Sequence, residues 1–135
     1  MTVRTGSCLC GARAYEIDGD IDGVLVCHCS LCRKATGSDG IAILVVPRDR
    51  FRWVRGEDHG VTFALRETYA ITRCKTCGTP LPAEADEAKV CVTAGTLDVP
   101  LGQGVRTRMF CASRADWDHD EPDARYFDER PSRPE

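Results

Sequence analysis

Three tight clusters of cysteines constrain the fold of this chain more than any other feature of its sequence. The clusters are Cys8-Leu9-Cys10, Cys27-His28-Cys29-Ser30-Leu31-Cys32 and Cys74-Lys75-Thr76-Cys77. Cysteines one or two residues apart lie on one tight turn and can direct both sulfur atoms at a common point. Such turns are typical of zinc sites, in which four ligands surround the ion as a tetrahedron with zinc–sulfur bonds of about 2.3 Å. The fold must therefore bring cysteine turns together around metal.

Length and composition describe one soluble domain. A chain of 135 residues with 42% hydrophobic and 29% charged residues is ordinary for a single globular unit. The longest apolar run, residues 41–47, is far shorter than the ~20 residues of a membrane span. Residues 1–6 lack the apolar stretch of a signal peptide, so we expect a cytoplasmic protein. Nine cysteines, an odd number, favour metal binding over disulfides in that compartment.

The charge of the chain argues against nucleic acid as a partner. The net charge is -3 and the isoelectric point is about 5.6, so there is no global positive field, and no extended basic arm is present. A run of acids near the end predicts a solvated loop rather than an acidic metal site. Its members are Asp116, Asp118, Asp120, Glu121 and Asp123.

Short segments of alternating or β-branched residues predict a mainly β domain of antiparallel strands. The predicted strands cover residues 13–17, 24–26, 40–46, 51–55, 61–66, 69–73, 89–94 and 106–112. The continuous apolar run at 40–46 suits a strand buried on both faces. A helical period is nowhere sustained, and only residues 30–35 suggest one helical turn.

Residues outside the clusters are predicted to fill the interior. Cys91 and Cys111 lie on predicted strands and suit small buried positions. Four aromatic residues are expected in the core or in the wall of a pocket: Trp53, Phe63, Tyr69 and Trp117.

The first and third clusters predict one closed zinc site. Each is bounded by strands, and each has a glycine after its last cysteine, Gly11 and Gly78. Glycine allows a positive φ, which turns backbone amides toward the sulfur atoms. The four ligands would be Cys8, Cys10, Cys74 and Cys77. Such a site leaves no room for substrate, and structural zinc contributes on the order of 10 kcal/mol to folding.

The second cluster supplies three thiolates, from Cys27, Cys29 and Cys32. His28 between them points the opposite way if the segment is extended. Three interpretations stay open. A fourth ligand, such as Cys91, Cys111 or a histidine, closes the site; the thiols are merely buried or oxidised; or the fourth position takes water or a thiol. In the last case zinc would lower the pKa of that thiol and hold it as a nucleophile.

The clusters and their flanks resemble the glutathione-dependent formaldehyde-activating enzyme (GFA) family, also called the centromere-protein-V/GFA domain. The resemblance rests on residues 6–11, 27–38 and 74–81, with later landmarks in Gly95-Thr96-Leu97-Asp98 and Ser113-Arg114-Ala115-Asp116-Trp117. It covers residues 3–128, and we expect residues 129–135 to be a frayed tail.

The resemblance implies a single tent-like β domain with zinc-binding knuckles. Its structural zinc would bind Cys8, Cys10, Cys74 and Cys77, and its second, catalytic zinc would bind Cys27, Cys29 and Cys32. The implied activity is that of a carbon–sulfur lyase, which in reverse joins glutathione to formaldehyde as S-hydroxymethylglutathione. The partners would be a small thiol and an aldehyde, without nucleic acid or membrane, and a homodimer is a candidate assembly. The competing class is a non-enzymatic zinc scaffold or interaction domain, and a redox role for Cys27 to Cys32 is third.

Two positions depart from the family pattern. Arg108 stands where family members often carry a histidine, and Pro82 stands where an aromatic residue usually follows. Both changes are expected where a substrate could be lined up. Around the second cluster, His28, Arg33 and Lys34 either bind a carboxylate or phosphate of the substrate or simply face the solvent.

Overall fold

The computed structural model describes residues 2–84, 86–119 and 121–131. Across those ranges the chain forms ten strands and one short α-helix, which confirms a mainly β domain. Their bounds are β1 Val3–Ser7, β2 Ala14–Asp18, β3 Val24–Cys27, α1 Ser30–Thr36, β4 Ile41–Pro47, β5 Phe51–Arg55, β6 Gly60–Arg66, β7 Tyr69–Cys74, β8 Ala83–Glu84, β9 Lys89–Thr93 and β10 Val105–Met109. Within the described residues, no helix has the length and apolar character needed to cross a membrane.

The strands form three sheets. Their orders are β1-β2-β5, β10-β3-β4-β9-β8 and β6-β7. Neighbours pair antiparallel, as predicted, except that β10 pairs parallel with β3. A parallel pair needs a long connection, and the chain supplies one, since everything from α1 to β9 lies between these two strands. The pattern of hydrophobic residues does not show whether two paired strands run parallel or antiparallel.

Strand β1 was not predicted: Val3 and Thr5 are β-branched, but the segment continues into Gly6 and Ser7, which are typical of turns. It forms through pairing with β2 along its whole length, from Val3 opposite Asp18 to Ser7 opposite Ala14. Gly6 is required there, since a Cβ atom at this position would lie 2.2 Å from the Tyr15 ring. Packing against β2, rather than local propensity, therefore makes this segment a strand.

The core lies where β2, β4 and β9 pack together. Tyr15, Leu44 and Val92 are fully buried and belong to one apolar cluster, which also includes Cys8 and Cys74. The prediction that the 40–46 run is buried on both faces was wrong: Leu44 is 0% exposed but Val45 is 39% exposed. Only one face of β4 meets the core, and the first cysteine cluster sits at the edge of that core.

Predictions for isolated residues had mixed outcomes. Trp53 is half-buried, packs edge-on against Phe51 at 5.3 Å between ring centroids, and has the Arg13 guanidinium 4.2 Å from its ring. Phe63 and Trp117 are 63% and 61% exposed, so assigning them to the interior was wrong.

The last predicted strand ends early. β10 stops at Met109, and a 3₁₀ turn follows at Cys111–Ser113. Cys111 is therefore exposed instead of buried, whereas Cys91 is half-buried on β9.

Candidate metal centres

The first and third cysteine clusters meet at one point. Cys8 and Cys10 follow β1, and Cys74 and Cys77 lie at the end of β7 and in the turn after it. All four sulfur atoms lie within 4.8 Å of one another. The Cys8–Cys10 and Cys10–Cys74 sulfur separations are 3.7 Å and 3.8 Å. A tetrahedral ion with metal–sulfur bonds of about 2.3 Å has sulfur–sulfur edges of about 3.8 Å, so this arrangement fits such an ion without rearrangement.

Backbone turns stabilise the sulfur atoms of this four-cysteine site. Gly11 and Gly78 have φ angles of 81° and 79°, which confirms the positive φ predicted from the sequence. Their own amides close the turns onto the carbonyls of Cys8 and Cys74, at 3.0 Å and 2.9 Å. The amide of Arg13, just past the first turn, then donates to the Cys8 sulfur at 3.3 Å. The glycines therefore act by shaping the turn, and a following residue supplies the amide.

Thr79 joins the two turns, a role that sequence reasoning missed. Its hydroxyl oxygen accepts the amide N–H of Leu9 at 3.1 Å and lies 3.2 Å from the Cys77 sulfur. With the amide occupying a lone pair, the hydroxyl hydrogen is free to point at sulfur. This hydrogen bond lowers the pKa of Cys77 to about 5, because it stabilises the thiolate. The sequence signal for this role was a threonine two residues after Cys77, the last cysteine of the third cluster.

The second cluster forms a three-cysteine site at the junction of β3 and α1. Cys27 ends β3, and Cys29 caps α1 by accepting the Cys32 amide N–H on its sulfur at 3.3 Å. The three sulfur atoms lie within 4.8 Å of one another. The predicted helical turn is confirmed and extends to Thr36. Burial raises the pKa of the Cys27 thiol and raises that of Cys32 to about 12.

The three-cysteine site has an open coordination position. Among the described residues, no further histidine, cysteine, aspartate or glutamate joins the three sulfur atoms, so neither Cys91 nor Cys111 closes it. All nine cysteines are free. The geometry therefore supports the interpretation in which a fourth ligand comes from outside the protein.

A large cavity borders this open site. Its volume is ≈ 1090 Å³, and its wall includes Cys32, Tyr69, Trp53 and Pro82. The Tyr69 hydroxyl donates a hydrogen bond to the Cys32 sulfur at 3.7 Å. Tyr69 and Trp53 thus belong to a pocket wall, as predicted, and Pro82 lies where a ligand would be aligned.

Comparison with known proteins agrees with the geometry. The model of the family "Glutathione-dependent formaldehyde-activating enzyme" (GFA) matches residues 3–113. The chain belongs to this family. A crystal structure of a Rhodobacter sphaeroides protein is also similar, with a TM-score of 0.59 and 22% identity, covering 77% of this chain and 98% of that chain. At this identity the likeness concerns the fold alone. No curated protein matches the chain significantly.

The GFA match places both cysteine sites within the family domain and leaves residues 114–131 beyond it. One residue of that later segment returns to the three-cysteine site. Asp118 was predicted to lie in a solvated loop, but its side chain is only 12% exposed and its Oδ2 lies 3.2 Å from His28 Nδ1. The prediction holds for the exposed acids Asp116, Glu121 and Asp123, and Asp120 lies outside the described residues.

His28 does not face a substrate or the solvent, so both predictions for it were wrong. It is fully buried. Its Nδ1 lies 2.9 Å from the Asp39 carbonyl oxygen, and its Nε2 lies 3.1 Å from Arg108 Nη1. Arg108, at the position where GFA proteins often have histidine, thus contacts His28 and is not part of the cavity wall. Arg33 and Lys34 are also outside that wall.

Arg73 connects the two cysteine sites. One guanidinium nitrogen donates to the Gly78 carbonyl at 3.0 Å, within the turn of the four-cysteine site. The other donates to the Ala35 carbonyl near the end of α1, the helix that carries Cys32. A single side chain next to Cys74 therefore contacts the supporting elements of both sites.

Proposed function

We propose that this GFA-family protein is a zinc-dependent enzyme of the carbon–sulfur lyase type. It would join a small thiol such as glutathione to formaldehyde or a related small electrophile at the three-cysteine site. One observation carries the proposal. The sulfur atoms of Cys27, Cys29 and Cys32 converge at a site that borders a cavity, and among the described residues no fourth protein ligand joins them.

Zinc is the metal that suits these donors. Both sites offer only thiolates, which select zinc over the hard cations magnesium and calcium. The four-cysteine site would hold a structural ion, because all four tetrahedral positions are filled by protein. The three-cysteine site would hold the catalytic ion, since a catalytic zinc keeps one position for an exogenous ligand. All nine cysteines are free, which suits the reducing cytoplasm where we place the protein.

The reaction would form one carbon–sulfur bond. The substrate sulfur attacks the aldehyde carbon, the π electrons of the carbonyl move to oxygen, and the proton released by the thiol ends on that oxygen. When bound, the zinc ion would lower the pKa of the substrate thiol. Cys27, Cys29 and Cys32 would hold the ion, and Tyr69 would orient Cys32 through its hydrogen bond. Reversal of the same steps gives the lyase direction.

The cavity accommodates more than a one-carbon aldehyde. Its volume of ≈ 1090 Å³ is slightly larger than that of most ligand pockets, which usually measure about 300–1,000 Å³. Aromatic and proline side chains, including Phe51, Trp53 and Pro82, form part of its wall. A tripeptide thiol and a small aldehyde could occupy it together. This capacity supports a thiol of glutathione size as the larger substrate.

Metal content and adduct exchange test the proposal together. We expect two zinc ions per chain, and faster exchange between ¹³C-formaldehyde and its glutathione adduct, measured by exchange NMR, than without protein. Cys29→Ser should reduce zinc to one per chain and abolish the acceleration. The matched control is Cys111→Ser, which removes an exposed thiol outside both sites. The proposal fails if Cys29→Ser leaves zinc content and exchange rate unchanged.

A non-enzymatic scaffold or interaction domain is the second candidate. Large apolar side chains are more than half exposed at Phe63, Trp117 and Tyr126, and a partner that covered any of them would remove apolar surface from water. A homodimer or another partner would bind there. Two zinc ions without any acceleration of adduct exchange would favour this candidate over the enzyme.

A further inference from the structure

The segment after residue 113, where the match to the GFA model ends, contacts the three-cysteine site. The chain turns at residues 115–118, where the Asp118 amide donates to the Ala115 carbonyl at 3.0 Å. This turn directs the Asp118 carboxylate inward to His28, the residue between two of the proposed zinc ligands. Arg114 Nη2 lies 3.5 Å from the other carboxylate oxygen. Asp118 therefore contacts His28 through one carboxylate oxygen and Arg114 through the other.

The surroundings of His28 fix its tautomer. Nδ1 donates to the Asp39 carbonyl at 2.9 Å and lies 3.2 Å from Asp118 Oδ2, a buried oxygen that makes no hydrogen bond of its own, so Nδ1 carries the proton and the Asp118 contact is electrostatic. Nε2 faces the Arg108 guanidinium, which can only donate, so Nε2 is the acceptor. The assignment follows from the hydrogen-bond network. Each ring nitrogen is thus satisfied by a group from a different part of the chain.

The His28 main chain is fixed as well. Its amide donates to the Met109 carbonyl at 3.0 Å on β10, while its side chain is fully buried. His28 is bonded to Cys27 on one side and to Cys29 on the other. A change in its backbone angles therefore changes the distance between the Cys27 and Cys29 sulfur atoms. Loss of the Asp118 side chain would leave the Nδ1 hydrogen bond to the Asp39 carbonyl in place, but it would remove the carboxylate that lies against the ring.

We propose that Asp118 is a positioning residue for the three-cysteine site: by holding His28, it fixes the Cys27–Cys29 geometry and slows loss of the catalytic ion. This inference rests on the proposed function, since it requires a metal at that site. Hydrogen-bond partners behind the ligands of a metal typically change its affinity 10–100-fold. Asp118 would therefore support the three-cysteine site from a part of the chain that carries none of its sulfur ligands.

Zinc release to an excess of a chromophoric chelator tests this inference on the full-length protein. We expect two phases in the wild type, and the phase that Cys29→Ser abolishes reports the three-cysteine site. Asp118→Ala should accelerate that phase by about 10–100-fold and leave the other phase unchanged. Asp118→Asn should restore slow release, because its amide oxygen can take the place of Oδ2 beside Nδ1. The control is Asp116→Ala, an exposed acid two residues away.

Cobalt substitution adds a spectroscopic measurement. Asp118→Ala should alter the thiolate-to-cobalt absorption of the three-cysteine site, and Asp118→Asn should resemble the wild type. Arg108→Met removes the partner of Nε2 and should accelerate the same release phase, which provides a second route if Asp118→Ala does not fold.

The outcomes separate the two proposals. A wild type with one zinc ion per chain contradicts the proposed function itself. Two zinc ions, with release from Asp118→Ala as slow as from Asp116→Ala, overturn the role of Asp118 alone. Equal acceleration of both phases also overturns it, because that result indicates general destabilisation.

Discussion

Both cysteine sites offer sulfur ligands, but they differ in how far apart those ligands lie in the sequence. The four-cysteine site joins turns far apart in the sequence, with Cys10 and Cys74 separated by 64 positions. The three-cysteine site lies within one short segment from Cys27 to Cys32. A metal at the first site closes a long loop, which restricts the unfolded chain strongly, whereas a metal at the second closes almost none. The distant ligands of the first site therefore suit the stabilising role that we propose for it, and the local ligands of the second suit the catalytic role.

The pKa values of the thiols, by contrast, do not divide the two sites. In the four-cysteine site, Thr79 lowers the pKa of Cys77 to about 5 through its hydrogen bond. In the three-cysteine site, burial raises the pKa of Cys32 to about 12. The pKa of Cys10 is nevertheless raised to about 11 in the first site, and hydrogen bonds lower that of Cys29 in the second, so each site combines thiols of high and low pKa.

The largest expected effect is on folding. Cys74→Ser should unfold the protein, because it removes a ligand of an ion whose contribution is on the order of 10 kcal/mol. Cys29→Ser should remain folded, since its site closes no long loop. Circular dichroism and thermal melting of the two purified variants provide the measurement. Equal destabilisation by both substitutions would contradict the division into a structural and a functional site.

The next effect concerns metal removal. Treating the wild type with a moderate excess of chelator should extract one zinc ion rapidly and leave the fold intact, because the three-cysteine site has an exchangeable position. The second ion should leave only as the protein unfolds. Parallel recordings of zinc release and far-ultraviolet circular dichroism measure this order. Simultaneous loss of zinc and structure from the start would count against it.

A smaller effect is expected where the sites are connected. Arg73→Met removes the hydrogen bonds to the Gly78 and Ala35 carbonyls and should lower the unfolding free energy by about 1.5–3 kcal/mol, the usual contribution of charged hydrogen bonds. Zinc release from both sites should accelerate. Lys75→Met, an exposed cation two residues along, is the control. Acceleration at only one site would show that Arg73 does not couple them.

The smallest effect is expected at Thr79. Thr79→Val keeps the shape but removes the hydroxyl that contacts Leu9 and Cys77, so we expect a loss of about 1 kcal/mol in unfolding free energy. Release from the four-cysteine site should accelerate while the three-cysteine site is unaffected. Denaturant titration with and without chelator measures both quantities. Thr76→Val, in the same turn, is the comparison variant, and a larger effect from it would contradict the role of Thr79.

Features that depend on local sequence were predicted correctly. The cysteine spacings predicted both ligand groups, and the structure brings each group together. Strands such as β5 and β7 were predicted to within a residue, because their alternation is local. The glycines after the clusters predicted the positive φ angles that the turns adopt.

Features that depend on contacts between distant parts of the chain were not predicted from the sequence. β1 becomes a strand only through pairing with β2, and the parallel pairing of β10 follows from the path of the whole chain. Asp118 is indistinguishable in sequence from its exposed neighbours Asp116 and Glu121, and only the 115–118 turn buries it. Burial of a charge is a tertiary property, so a run of acids could not predict which member has a partner.

The separation of Cys10 from Cys74 also matters while the protein is being made. Cys27, Cys29 and Cys32 leave the ribosome almost together. Cys74 follows Cys32 after roughly 2 to 8 seconds at the usual ~5–20 residues per second of synthesis. Throughout that interval Cys8 and Cys10 have no third or fourth partner from their own site. The nascent chain therefore offers a complete three-cysteine group beside an incomplete pair, and the order of translation would favour metal binding at the three-cysteine site before the four-cysteine site.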